Sequence, residues 1–455
     1  MSSPAASAEE RLSNASLSPS QSGISTPATT PSTSQILEPK PPIDILVAGA
    51  LAVDFSCDYS PFPSSPNQTD PSPHTSNPAI IRQTLGGVAH NIAKAAHLVG
   101  SSVLLCSAVG DDLSGSTALL ALKNSGMQTS GIQVIPNQRT AQYVAVNNAN
   151  KDLAMAMADM SILETSTPAS IQSTWIGPLS HLPQSPKCVV VDANWDASSL
   201  HTWLTYARFL NAFSIFEPVS TAKATRLLDF PPTSPLPSPF SSAHPDADGP
   251  AAIAPPLCTL STPNTHELLA LHDYAAARNL FETPAWFRVI DALGIPSSGL
   301  RVPLSVATTP AIVDAGIPQM AIKLLPFVPT LLVKLGSQGV LVVKLLKPDA
   351  EELYAQIHRP YVLARKGNGD EGAEVGGLYV RLFGTERVLK GEEVVSVNGI
   401  GDTFAGVLAA ALVGGRTLAE AVSVAQKAAG LSLQSAEAVS GEVGGLRALV
   451  QGGET

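Results

Sequence analysis

Val394-Val395-Ser396-Val397-Asn398-Gly399-Ile400-Gly401-Asp402-Thr403-Phe404-Ala405-Gly406-Val407-Leu408-Ala409-Ala410-Ala411-Leu412-Val413 is the stretch from which the fold of this chain is read. The β-branched pair Val394 and Val395 predicts a short strand. Gly399-Ile400-Gly401-Asp402 predicts a turn, and Thr403 to Leu412, all small or apolar, predicts a helix. Two glycines at the mouth of a helix leave backbone N–H groups uncovered. Those orphan donors, with the helix dipole behind them, make an anion site. A carboxylate beside a bound anion is unfavourable unless it has a task, and Asp402 is placed to take a proton from a hydroxyl attacking a bound phosphate. The competing reading is a strand-turn-helix junction in which Asp402 is only the N-cap.

Working outward, the same pattern recurs upstream: short apolar strands end in polar residues and are followed by helices. Ile43 to Val47 is a buried strand ending at Gly49, with Asp54 just beyond it. Gly86-Gly87-Val88-Ala89-His90-Asn91 opens a helix to Val99 with an apolar stripe at Val88, Ile92, Ala95 and Val99; Asn91 falls in its first turn and His90 is expected to be structural. Ser102 to Val109, Cys188 to Val191, Ser214 to Phe216 and Thr330 to Leu335 read as further strands, the last leading into Gly336-Ser337-Gln338-Gly339. Gly110 to Ser116 has the glycine spacing of a phosphate loop but lacks its lysine, so that motif is rejected. Thr140 to Val146 and Leu153 to Ala158 flank Asn147-Asn148-Ala149-Asn150, a hairpin signal. Asn264-Thr265-His266-Glu267 reads either as a helix capping box or as a polar pair holding the water shell of a metal near phosphates. Strands alternating with helices argue a mainly parallel sheet covered on both faces, an α/β fold.

Composition narrows the function classes. A chain of 455 residues with 44% hydrophobic content can bury a large core. A net charge of −10 with no basic run disfavours nucleic acid as a partner. The four cysteines, Cys57, Cys106, Cys188 and Cys258, are far apart, which suits reduced thiols in a cytoplasmic protein rather than disulfides or a zinc site. No apolar run reaches the length of a membrane span, and the N-terminus carries no apolar signal core. Residues 1–42, rich in Ser, Pro and Thr, are expected to be a disordered arm. Residues 229–256 and 345–376 are expected to be irregular insertions in a domain running from 43 to 455.

Taken together and in this order, these motifs resemble the ribokinase-like carbohydrate kinases, the PfkB family, over roughly residues 43–445. The resemblance implies a three-layer α/β/α fold with a small β lid, here about residues 55–85 and 138–160. Gly399, Ile400, Gly401 and Asp402 resemble that family's anion hole and catalytic base. Asp54, Gly86, Gly87 and Asn91 resemble its sugar site, Gly336 and Gly339 its nucleotide turn, and Asn264 and Glu267 its magnesium motif. The strand beginning at Thr140, which would add a substrate contact, the run Ala156 to Met160, and Phe216-Glu217-Pro218-Val219-Ser220 with Lys223 are similar to the pseudouridine kinase branch. What this implies is ATP- and Mg²⁺-dependent phosphorylation of a sugar or nucleoside 5′-hydroxyl, with pseudouridine foremost. Ribose, adenosine or another nucleoside is the alternative acceptor, and a pseudokinase that binds without transfer is a further reading. In related eukaryotic proteins such a domain is fused to a pseudouridine-5′-phosphate glycosidase, so a glycosidase is a partner the resemblance suggests, and a homodimer another. Ser396-Val397 departs from the pair that many relatives use to hold a monovalent cation, and this leaves potassium dependence open.

Overall fold

The computed structural model describes residues 42–65, 67–230, 257–295, 298–366 and 375–452. The arm expected over 1–42 and the insertion over 229–256 lie outside the described residues, apart from residues 42, 229 and 230. In chain order the strands of the first half are β1 (Ile45–Ala48), β2 (Ala52–Tyr59), β3 (Ala79–Gly86), β4 (Val103–Gly110), β5 (Ile132–Ile135), β6 (Gln142–Asn147) and β7 (Leu153–Asp159). Those of the second half are β8 (Cys188–Asp192), β9 (Phe213–Glu217), β10 (Leu260–Ser261), β11 (Thr330–Lys334), β12 (Val340–Leu346), β13 (Val362–Arg365) and β14 (Gly377–Phe383).

Ten of these strands form one sheet in the order β13-β14-β12-β11-β10-β9-β8-β1-β4-β5. From β11 to β5 every neighbour is parallel, while β12, β14 and β13 extend the sheet antiparallel. The apolar runs are continuous because both faces are covered. Along β1, Ile45 and Val47 pack into one core beneath helices Val88–Leu98, Ile400–Val413 and Leu418–Leu433; Leu46 and Ala48 enter the other, with helices Ala197–Phe209 and Thr265–Ala277. The result is the three-layer α/β/α arrangement expected of a mainly parallel sheet.

A second sheet, β3-β2-β6-β7, uses the segments expected for the lid. Its strand β2 follows β1 after only Gly49, Ala50 and Leu51, so the chain passes directly from the central sheet into this smaller one.

Two expectations need correction. Val394 and Val395 form no strand: they lie in an extended segment after a 3₁₀ turn at Gly391–Glu393, and the N–H of Val395 donates to Leu433 O at 2.8 Å. Val395 and Val397 are mostly exposed, so β-branching here does not report a buried sheet position. Nor is 345–376 irregular throughout. Leu345 and Leu346 finish β12, and Val362–Arg365 forms edge strand β13, a four-residue apolar run too short to stand out from its polar flanks, paired antiparallel with β14. Residues 367–374 of that stretch lie outside the described residues.

Candidate active site

The helix carrying Asp402 begins one turn earlier than its sequence suggests, at Ile400, and its N-cap is Gly399 with φ 73°. A side chain at this left-handed position would be strained, and a Cβ there would lie 2.4 Å from Ala438 O. Asp402 therefore sits inside the first helical turn and is not the N-cap; that alternative is set aside. The helix is apolar on nearly all sides and is buried between the sheet and helices Val88–Leu98 and Leu418–Leu433. Gly406, one turn on, lets helix Val88–Leu98 approach closely: a Cβ at Gly406 would lie 2.3 Å from Ile92 O. This close crossing brings Asn91 to Asp402, whose Oδ2 accepts from Asn91 Nδ2 at 2.9 Å.

Asn91 is thus turned toward the base, and its other end is held as well. His90 Nδ1 lies 3.2 Å from Asn91 Oδ1, and since Asn91 donates to Asp402 with its amide nitrogen, His90 Nδ1 is the donor here. Burial first, then the charge of Lys94, pushes His90 down to about 4, so it is neutral at physiological pH.

Burial dominates the chemistry of Asp402 too. Its carboxyl is pushed up to about 7 by loss of solvent and then by the charge of Glu217, with Asp192 adding to the rise; the Asn91 bond and Lys334 oppose it. A carboxylate poised near neutrality is suited to general-base work.

Asp54 lies on β2, opposite Thr84 of β3 and Tyr143 of β6. Its carboxylate occupies the space above Gly86, where a Cβ would come within 1.9 Å of Oδ2. Burial alone pushes it up to about 6, and among the described residues nothing donates to it. A half-buried carboxylate without donors is costly in isolation and is suited to ligand hydroxyls. Gly86 and Gly87 lead directly into the Asn91 helix, so Asp54, Asn91 and Asp402 belong to one continuous wall.

The other wall is a cavity of about 980 Å³ lined by, among others, Gly336, Gly339, Ile400, Gly401, Lys334 and Asn264. Gly339, at φ 97°, turns beneath the end of β14; a Cβ there would lie 2.0 Å from Phe383 O. Apart from Asp54, which sits on the smaller sheet a few residues past the end of β1, the functional groups enter at the C-terminal ends of the central strands or in the first turn of a helix, where open α/β sheets bind ligands.

Thr140, expected to touch substrate, does not face this space. It is 1% exposed, its hydroxyl donates to Asp112 Oδ1 at 2.6 Å and accepts from Gly110 N at 2.9 Å, and its N–H donates to Asp112 Oδ2. Its role is to tie the start of the lid strand to the N-cap of helix Leu113–Asn124.

Asn264 and Glu267 form a complete capping box. Asn264 Oδ1 accepts from the N–H groups of His266 and Glu267, and Glu267 Oε2 accepts from Asn264 N at 2.8 Å. The capping reading is real, yet it does not exhaust these residues. Burial first, then the nearby charge of Glu217, raises the Glu267 carboxyl. Glu217, Glu267 and Asp402 all lie close enough to act on the ammonium of Lys334, so carboxylates gather here around one shared cation. Among the described residues no group of three or more His, Cys, Asp or Glu could hold a metal directly. A Mg²⁺ that keeps its waters and arrives on substrate phosphates fits such a region; Glu267 and Asn264 would hold its water shell, and the ion would neutralise phosphate charge.

Three residues given no role from the sequence lie at strand ends. Asp192 closes β8, is fully buried, and accepts from the N–H groups of Ala50 (2.9 Å), Ala89 (3.1 Å) and Asn194 (2.9 Å), pinning the β1–β2 junction to the first turn of the Asn91 helix. Glu217 closes β9 and Lys334 closes β11, and Nζ of Lys334 lies 2.8 and 3.1 Å from the two oxygens of Glu217. The available signal was a charged residue ending an apolar strand, as in Cys188–Asp192, Phe213–Glu217 and Thr330–Lys334.

Comparison with known proteins gives the family and the fold. The family model described as pfkB family carbohydrate kinase matches residues 44–230 and 369–442, more than half of the chain. The pseudouridine-metabolizing bifunctional protein of Schizosaccharomyces pombe is 29% identical over 374 residues, covering 81% of this chain and 44% of that protein. The pseudouridine kinase of Escherichia coli is 29% identical over 154 residues, covering 34% of this chain and 47% of its own length. The chain thus spans under half the length of each of these curated relatives. Among solved structures, Arabidopsis thaliana ribokinase complexed with ribose and ATP superposes with a TM-score of 0.55 at 14% identity, covering 90% of this chain and 99% of that one, a likeness of fold.

Proposed function

This chain belongs to the pfkB family of carbohydrate kinases, phosphotransferases acting on a sugar hydroxyl, and on that premise we propose that it transfers the terminal phosphoryl group of ATP to the 5′-hydroxyl of pseudouridine. The observation that carries the reading is Asp402: a half-buried carboxylate whose desolvation poises it near pH 7, in the first turn of a helix whose uncovered N–H groups face a nucleotide-sized cavity. Asp402 accepts the proton of the 5′-hydroxyl as that oxygen attacks. The N–H groups of Gly399, Ile400, Gly401 and Asp402 stabilise the negative charge on the phosphoryl oxygens during transfer. Asn91, donating to Asp402 Oδ2, directs the other oxygen at the hydroxyl.

Asp54 holds the acceptor. Its two oxygens, which accept from no donor among the described residues, match the two adjacent hydroxyls of a ribose ring. The choice of pseudouridine rests on two curated relatives whose names carry that nucleoside. The glycosidase is proposed as a functional partner on the same ground, since the S. pombe relative is bifunctional and extends well beyond the length matched here.

The test is ATP consumption with pseudouridine, uridine, adenosine and ribose, with the product identified by phosphorus NMR. The expected result is the highest kcat/KM for pseudouridine and a phosphate on its 5′ carbon. A higher kcat/KM for ribose or adenosine would transfer the assignment to that acceptor, and binding without turnover on every acceptor would overturn the kinase reading.

A further inference from the structure

We propose that Lys334 is a catalytic residue that binds the terminal phosphate of the nucleotide and stays on it through transfer, with Glu217 as the residue that positions it. The inference rests on the kinase reading above and deepens it.

The argument begins with where the ammonium lies. Lys334 ends β11, locked by its N–H to Pro263 O at 2.8 Å and by a parallel bridge to Asn264. Its side chain is 17% exposed and lines the same cavity as Gly336, Gly339 and Gly401. Nζ sits 3.0 Å from the point where a Cβ on Gly401 would be, at the mouth of the Asp402 helix. That mouth is the positive end of a helix dipole, and a cation there is disfavoured. The two positive features meet at the wall of the cavity, with Glu217 balancing the ammonium on its far side, and an anion lying in the cavity there would touch both. The absence of a side chain at Gly401 leaves room for that anion.

The second observation is how the ammonium is held. Both oxygens of Glu217 accept from it, and Glu217 Oε2 also accepts from Thr262 Oγ1 at 2.5 Å, so the carboxylate is fixed in orientation. Glu217 is almost fully buried, and the pair spans the edges of strands β9 and β11 with short β10 between them. Burial works against the charge of Lys334, but the carboxylates of Glu217 and Glu267 outweigh it and keep the ammonium protonated. Lys334 is therefore a fixed cation that does not exchange its proton.

In the step itself, the bond between the terminal phosphorus and the bridging oxygen breaks, and that oxygen keeps the electron pair as ADP leaves. A bond forms from phosphorus to the acceptor oxygen, whose proton goes to Asp402. Lys334 donates hydrogen bonds to the phosphoryl oxygens before, during and after the transfer, and gives up no proton.

The test compares wild type, Lys334→Gln, Glu217→Gln and the double variant Glu217→Gln/Lys334→Gln. It reads kcat and KM for ATP, the pH profile of kcat, and calorimetric affinities for Mg-ATP and AMP. Removing Lys334 alone leaves Glu217 buried without its partner and threatens folding, so the double variant, neutral at both positions, decides. The double variant is expected to stay at least 100-fold below wild type in kcat. Its affinity for Mg-ATP should fall at least tenfold while AMP binding is kept, and the acid limb of its pH profile should move. If Lys334 only neutralises Glu217, the double variant recovers wild-type kcat and Mg-ATP affinity, and the proposal is overturned. A wild-type protein that transfers phosphate to no acceptor would sink the kinase reading separately, and the ratio of Mg-ATP to AMP affinity would still decide the role of Lys334.

Discussion

Replacing Asp402 by Asn is expected to remove most turnover and at the same time stabilise the fold above neutral pH. Asn is nearly isosteric and can still accept from Asn91 Nδ2, so the helix mouth keeps its shape. The carboxyl of Asp402 rises from 3.8 to about 7 in the folded chain. A group whose folded pKa is raised gives its full stabilisation below the unfolded value, and that stabilisation is lost as pH rises from about 4 to about 7. At about 1.4 kcal/mol per pKa unit, holding the ionised side chain at pH 8 costs the fold on the order of 4 kcal/mol. Asn carries no such cost. The variant should therefore melt higher than wild type at pH 8, with the gap closing as pH approaches 4. Loss of general-base catalysis should lower kcat by roughly 10²–10⁴, or about 3–5 kcal/mol of barrier, with nucleotide and acceptor affinities kept. The assay is phosphoryl transfer alongside thermal melts across pH 4 to 9. Near-wild-type kcat would leave Asp402 without a catalytic role. A lower melting temperature at pH 8 would show that the carboxylate stabilises the fold, contrary to its burial among Glu217 and Asp192.

The remaining predictions concern its neighbours. Wild-type kcat should fall on the acid side with an apparent pKa near 7, since Asp402 must be ionised to act; Asn91→Ala removes a bond that lowers this pKa, so the acid limb should shift upward, and an unmoved limb would separate Asn91 from the base. Asp54→Ala should raise KM for the acceptor at least tenfold with Mg-ATP affinity unchanged; a pure kcat effect would assign Asp54 elsewhere. Thr140→Val should cost about 1–3 kcal/mol of stability by leaving the buried Gly110 N–H without its acceptor and Asp112 short of a donor, with acceptor KM unchanged; a rise in that KM would return Thr140 to the substrate site. Asn264→Ala should cost about 1 kcal/mol as a lost cap and raise the Mg²⁺ concentration needed for half-maximal rate; if the Mg²⁺ requirement stays at wild type, Asn264 is a cap alone.

Periodicity and glycine placement made much of this protein legible in its sequence. Runs such as Cys188–Asp192 and Thr330–Lys334 read as buried strands because a strand covered on both faces has no polar side to show. The glycines at 86, 87 and 399 mark close approaches that a Cβ would block, a constraint local enough to be written into neighbouring residues. Val394 and Val395 misled because β-branching favours extended backbone whether or not a sheet is present, and here the extended segment is largely exposed. Thr140 misled because nothing near it in sequence announces Asp112, which consumes its hydroxyl from 28 residues away. The contacts of Asn91 with Asp402, across 311 residues, and of Lys334 with Glu217, across 117, exist only once the parallel sheet aligns its strand ends and Gly406 lets two helices touch. Single-residue chemistry and local backbone freedom are properties of a short stretch of chain, and the sequence by itself determined them. The ionisation of Asp402 and the direction in which each polar side chain is spent depend on solvent exclusion and on charges from distant strands, and only the tertiary structure decided those.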